Sequence, residues 1–227
     1  MKFNDTIELL MKSNKSVFSV YDAAKFMEKP LSYASLMLNK SKKVNRIERG
    51  KYFIIGTDIN EIVSNIVFPS YISLQAGLQY YGLIDQNIIR YSVIILKRHR
   101  SIDINNNIIE FIKTKRDLFF GYVHKNNIFI ATPEKLFIDC LYFGHVSFSI
   151  LKEAMSIAKD ENLLNIKLME DYAIRIKNYS LVNKLGFLME SIGMNADKLL
   201  PYRYINYVHI ESPDYKVINV KWRIKYD

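Results

Sequence analysis

From Asp5 to Ser41 the apolar residues recur at helical spacing; beyond Val44 they alternate. The start of the chain therefore predicts helices that run into a hairpin. Ile7, Leu10 and Met11 share one face of a first helix that Asp5 can cap. Val17-Phe18 reads as a short strand. Ser19 and Asp22 have capping-box spacing, and Ala23, Phe26 and Met27 carry the period through a second helix. Lys29-Pro30-Leu31 breaks it. Ser32 is placed to cap a third helix, with Leu31 and Leu36 as a hydrophobic staple and Ala34, Met37, Leu38 and Ser41 as its buried stripe. The opposite face carries Tyr33, Leu36, Asn39, Lys40 and Lys43. Two β-prone runs, Val44 to Ile47 and Lys51 to Ile55, flank Glu48-Arg49-Gly50, where the glycine suits a tight hairpin.

Asp58 to Phe68 reads as a short connecting helix, and Pro69 opens the rest of the chain. This divides the sequence into residues 1–60 and a body of 69–227. In the body, Ser73 to Tyr81 is helical and closed by Gly82; Ile88 to Lys97, Ile108 to Lys113, Leu118 to His124 and Ile128 to Ala131 have strand character. Thr132-Pro133-Glu134 starts a helix running to about Phe143. Further helices are expected over Phe148 to Lys159, Leu164 to Lys177 and Leu181 to Ile192, the last capped by Ser180 and stopped by Gly193. Two final strands, about Arg203 to Ile210 and Lys216 to Lys225, complete the pattern. In the last, Ile218, Val220, Trp222 and Ile224 alternate with Asn219, Lys221, Arg223 and Lys225. The expected fold class is α+β: an N-terminal winged helix-turn-helix followed by a larger mixed α/β C-terminal domain.

Charge sharpens the reading of the first unit. The chain carries a formal charge of +9, and the window Lys25 to Gly56 holds eight Lys or Arg against two Glu, so +6 is concentrated there. A positive field at a helix and hairpin suits duplex DNA. Tyr33, Ser35 and Asn39 can reach base edges, while Lys40, Lys42, Lys43, Arg46, Arg49 and Lys51 can meet phosphates. The competing reading is a solvated basic face on a protein-interaction module. The runs Lys97-Arg98-His99-Arg100 and Lys113-Thr114-Lys115-Arg116 follow strands and offer a second phosphate patch or plain solvent exposure.

Other chemistry finds little purchase in the sequence. The single Cys140 excludes an internal disulfide framework and is read as a small buried hydrophobe; it suits a reducing compartment, here the cytoplasm. No apolar run approaches the roughly 20 residues that span a bilayer, so no membrane partner is expected. His99, His124, His145 and His209 lack metal-ligand spacing, and GxSxG, GxxxxGK[ST] and GxGxxG are absent. No cofactor and no catalytic activity are expected. A faint nuclease-like set, Asp197, Asp214 and Lys216, is more simply a chance grouping.

Four segments together resemble the AbiEi family, the antitoxin half of AbiE-type (type IV) toxin-antitoxin and abortive-infection systems. Arg46-Ile47-Glu48-Arg49-Gly50-Lys51-Tyr52 is similar to the family's wing. Tyr71 to Leu83, reading YISLQAGLQYYGL, resembles its first helix after the linker. Ile130 to Asp139, IATPEKLFID, is similar to its strand and proline-glutamate-lysine element, and Leu185 to Glu190 with Lys221-Trp222-Arg223-Ile224 matches late family features. The resemblance implies a winged-helix domain that binds its own promoter and represses a bicistronic operon. It also implies a C-terminal domain that antagonises a nucleotidyltransferase-like toxin without stable complex formation. The chain has no Gly-Ser dipeptide and no Asp-x-Asp, the signature of that toxin class. Glu134, in the first turn of its helix, and Asp139, as a buried anchor of charge, are assigned to structure. The alternative is a stand-alone winged-helix regulator whose second domain senses a ligand or mediates assembly.

Overall fold

The computed structural model describes residues 3–211 and 216–226, and the fold is mixed α+β. Its first part comprises α1 (Phe3–Lys12), β1 (Val17–Ser19), α2 (Val20–Met27), α3 (Leu31–Lys40), β2 (Val44–Glu48) and β3 (Lys51–Ile54). The strands form an antiparallel sheet in the order β1-β3-β2, with Phe18 opposite Tyr52 and Arg46 opposite Tyr52 on the other side. Period-two alternation divides β3 between two cores. Tyr52 and Ile54 pack with Ile7, Leu10, Ala23, Met27, Ala34 and Leu38 from the three helices. Phe53 faces the other way and joins the core of the body.

The local signals act unevenly. Ser19 caps α2 in a complete capping box: its hydroxyl accepts from the Asp22 amide at 3.1 Å, and Asp22 accepts from the Ser19 amide at 3.0 Å. Asp5 is not a cap, because α1 already includes Phe3; it lies in the first turn, where its charge favours the helix dipole. Ser32 does not cap α3 either. Pro30 occupies that position with extended backbone and no side-chain bond. Proline's fixed φ lets the chain enter the helix two residues earlier than a Ser32 cap would. Leu31 and Leu36 are both exposed and form no staple, and Met11 is also exposed; only Ala34 and Leu38 of the expected α3 stripe are fully buried.

The body begins with α4 (Ile59–Asn65), capped by Asp58. Its Ile62 and Val63, with Ile66 just beyond, lie in the same core as Phe53, Val93 and Ile130. A six-stranded sheet follows, ordered β6-β7-β5-β4-β9-β8, from β4 (Ser70–Ile72), β5 (Arg90–Ile95), β6 (Ile102–Ile104), β7 (Asn107–Lys113), β8 (Tyr122–Lys125) and β9 (Ile128–Ala131). One face, with Ile72, Val93, Ile95 and Ile130, packs on α4; Tyr71, Ile94 and Ala131 face the helices. Those helices are α5 (Leu74–Tyr80), α6 (Pro133–Phe143), α7 (Phe148–Asp160), α8 (Ile166–Arg175) and α9 (Tyr179–Ser191).

Several expectations need correction here. Strands β4 and β6 are too short to announce themselves by alternation. The run Leu118 to His124 is interrupted by a 3-10 turn at Arg116–Leu118 and by Gly121 in the left-handed region, so only Tyr122–Lys125 pairs. Asn178, not Ser180, caps α9, its side chain accepting from the Leu181 amide at 3.0 Å. The expected long terminal strand is a hairpin: β11 (Val217–Asn219) turns at 220–223 into β12 (Ile224–Tyr226), which also pairs with β10 (Val208–His209). The alternating faces therefore do not exist as one surface. Val220 is exposed, whereas Trp222 and Ile224 are buried.

The helix side of the body is held by a buried polar knot. Lys135 and Asp139, one turn apart on α6, form an ion pair; Ser73 donates to Asp139 at 2.9 Å and Tyr71 at 3.2 Å. Burial pushes the Asp139 carboxyl above its ordinary range, and Lys135 with the two hydroxyls pulls it back. Lys135 also lies 5.1 Å from the centre of the Phe120 ring. Glu134 is buried as well, accepting from the Asn165 amide at 2.8 Å, where it ties α6 to the start of α8.

Candidate nucleic-acid interface

Helix α3 and the β2–β3 hairpin enclose a groove of 370 Å³ that brings together Ser35, Asn39, Arg46, Arg49 and Tyr52. Two of these come from the helix and three from the hairpin. Ser35 and Asn39 lie four apart, one turn of α3, and so present one face. Gly50 adopts φ +78° at the hairpin end, and its carbonyl accepts from the Val20 amide at 2.8 Å. That bond ties the hairpin to the first residue of α2, so its arginines are held beside α3.

Each expected contact residue has a definite place. Asn39 is exposed, but its Oδ1 accepts from the Tyr52 hydroxyl at 3.1 Å. The amide is thereby oriented, and its Nδ2 has no acceptor among the described residues. Arg46 is exposed, with Nε donating to the Glu48 carbonyl at 3.1 Å, which stiffens the side chain while leaving the guanidinium end open. Arg49 is exposed at the hairpin turn. Tyr33, Lys40, Lys42 and Lys43 are exposed outside the groove lining, on α3 and the segment leading into β2.

Lys51 behaves differently from the other cations. Its ammonium donates to the Ile66 carbonyl and lies 3.3 Å from Glu48, so it fastens the hairpin to the end of α4. Its ammonium is engaged within the molecule, with the side chain 35% exposed. Sequence spacing could not reveal this, because the acceptor lies 15 positions away.

Two residues make contacts that the sequence does not announce. Tyr52 is buried against the helices and orients Asn39; the alternation of Tyr52 with Phe53 was the available signal. His99, from the second basic run, approaches Glu48 at 3.3 Å and packs edge-on against Phe111 at 4.6 Å. The exposed Lys97, Arg98 and Arg100 therefore flank a residue that touches the hairpin. The other basic run has no comparable link; Arg116 belongs to the 3-10 turn.

The faint nuclease set is not assembled by what can be described. Asp197 pairs with Lys221 at 2.9 Å, which holds its carboxyl below the ordinary range, while Asp214 lies outside the described residues, as does Tyr215. Among the described residues no group of three or more His, Cys, Asp or Glu could hold a metal ion. Cys140 is fully buried, and burial pushes its thiol well up. No helix among the described residues is long and apolar enough to cross a membrane. In comparisons with known proteins, no family model matches the chain and no curated protein matches it significantly.

Proposed function

We propose that the first three helices and their sheet act as a winged helix-turn-helix that binds duplex DNA. On this reading the chain represses its own operon and serves as the antitoxin of an AbiE-type system. The observation that carries the DNA reading is the groove where Ser35 and Asn39 of α3 meet Arg46 and Arg49 of the hairpin. A helix laid in the major groove directs its polar face to base edges, and a neighbouring hairpin carries cations along the phosphates. Asn39, with Oδ1 held by Tyr52, offers Nδ2 as a positioned donor to a base acceptor. Lys40, Lys42, Lys43, Arg46 and Arg49 supply the phosphate contacts. Lys51 is left out of this set because its ammonium is engaged at Ile66 and Glu48.

The antitoxin half rests on the family resemblance, and it gains support from how the resembling segments meet. Tyr71 and Ser73 of one segment donate to Asp139 of another. A Cβ on Gly186 would lie 2.2 Å from the Trp222 ring, so Gly186 abuts the indole and the two stretches of the fourth segment meet. Segments far apart in sequence thus form two contact pairs within one body.

The test is made in cells. A reporter driven by the region upstream of the gene should be repressed by the chain and released by Arg46→Ala/Arg49→Ala. Cells expressing the adjacent nucleotidyltransferase-like gene should grow only when the chain is co-expressed. An unrepressed reporter in the presence of folded protein would remove the DNA reading; growth arrest unrelieved by the chain would remove the antitoxin reading.

A further inference from the structure

A second concavity, of 260 Å³, opens on the helical side of the body and shares no lining residue with the groove beside α3. Its walls are core apolar groups: Cys140 from α6, Val146 from the following loop, Leu151 from α7 and Ile210 beyond β10. The lining also holds two charged residues, Lys184 from α9 and Glu211. They do not neutralise each other. Glu211 accepts from the Phe148 amide at the start of α7, and Lys184 has no hydrogen bond or ion pair among the described residues.

An ammonium half-sunk in such a wall is costly, since burial penalises its charge and no partner among the described residues repays the loss. Burial alone pulls the Lys184 pKa down. Its neighbours Leu181, Val182 and Leu185 are fully packed, so the lysine stem follows an apolar flank into the cavity. A ligand that supplies one negative charge to Lys184 and an apolar surface to Cys140, Val146, Leu151 and Ile210 would satisfy both, while the exposed Glu211 carboxylate is held by the Phe148 amide. A dianionic phosphate would bring two charges to one cation and wet the apolar wall. The volume lies below the roughly 300–1,000 Å³ of pockets for drug-sized ligands, which favours a short chain.

We infer that this cavity binds a small aliphatic monocarboxylate, with its carboxylate on Lys184 Nζ and its chain against Cys140, Val146, Leu151 and Ile210. The inference does not rest on DNA binding, and its test is made without DNA. The full-length chain is titrated calorimetrically with hexanoate, hexanamide and inorganic phosphate. Saturable binding of hexanoate is expected, with Lys184→Met weakening it by about tenfold or more and Lys184→Arg keeping most of it, as one charge-assisted contact would dictate. Val146→Phe, which fills the cavity, should abolish binding while the circular dichroism stays unchanged. Equal binding of hexanamide, effective competition by phosphate, undiminished binding by folded Lys184→Met or Val146→Phe, or no saturable binding of hexanoate would each overturn the inference.

Discussion

Among single residues, Lys51 and Arg49 are close in sequence yet have different surroundings. The guanidinium of Arg49 is exposed at the groove, whereas the Lys51 ammonium is spent on Ile66 and Glu48. Removing a cation that meets phosphate should reduce the salt dependence of DNA binding by about 1 in the log-log slope. Arg49→Ala is therefore expected to lower the slope, and Lys51→Ala to leave it unchanged while reducing unfolding stability. Equal slope changes would mean that Lys51 leaves its internal partners on binding. Tyr52→Phe gives a complementary test. On the proposed function it should relax base preference at the position assigned to Asn39, with the salt slope unaltered and a stability loss of about 1 kcal/mol from one hydrogen bond. Gly186 is constrained for another reason: a Cβ there would lie 2.2 Å from the Trp222 ring, and the indole is fully buried. Gly186→Ala should cost about 1–3 kcal/mol by denaturant titration, as overpacking does.

At the level of elements, α2 and α6 show what local sequence can specify. The Ser19 capping box and the Thr132-Pro133 start were legible because each signal is completed within one helical turn. Asp22 also links α2 to pH. Burial raises its pKa, but bonds from Lys15 and Ser19 outweigh this and hold the carboxyl below its ordinary value. A depressed carboxyl contributes stability above its unfolded pKa and loses it as pH falls through the folded value. Acid titration of the first unit should thus lose stability below about pH 4, less steeply in Asp22→Asn. In α6, Asp139→Asn strips the buried Lys135 of its counter-ion, so a loss of about 3–5 kcal/mol is expected in urea unfolding. Lys135→Met/Asp139→Leu should recover much of that loss; a double variant no better than the single would contradict the assignment. Elements defined by distant partners were illegible. The alternation from Ile218 to Ile224 imitates one strand, but the turn at 220–223 returns the chain so that Val208 pairs with Ile224. Strands β4 and β6, of three residues each, exist through their neighbours in the sheet.

At the scale of the molecule, the two faces of the β1-β3-β2 sheet belong to different cores. Tyr52 and Ile54 face the three helices, and Phe53 with Val17 and Ile47 packs toward the six-stranded sheet. The fastenings made by Lys51 to Ile66, His99 to Glu48 and Asn127 to Asn14 at 3.0 Å reinforce this connection. The hairpin that carries Arg46 and Arg49 is thereby held at its base by the body. Lys97, Arg98 and Arg100, beside His99, extend the basic surface next to it. The groove itself is partly legible: Ser35, Asn39, Arg46 and Arg49 stand out by residue type and spacing, and they converge. The hydroxyl of Tyr52 and the diversion of Lys51 were not, because both depend on how the hairpin sits against the rest of the chain.

The most direct test is binding of the purified full-length chain to a labelled fragment from immediately upstream of its gene, at two salt concentrations and against scrambled competitor. The proposal predicts competitor-resistant binding that weakens steeply with salt and is lost in a folded Arg46→Ala/Arg49→Ala variant. Binding indifferent to sequence, or unchanged in that variant, would contradict the assignment of the α3 and hairpin groove as the DNA-reading surface.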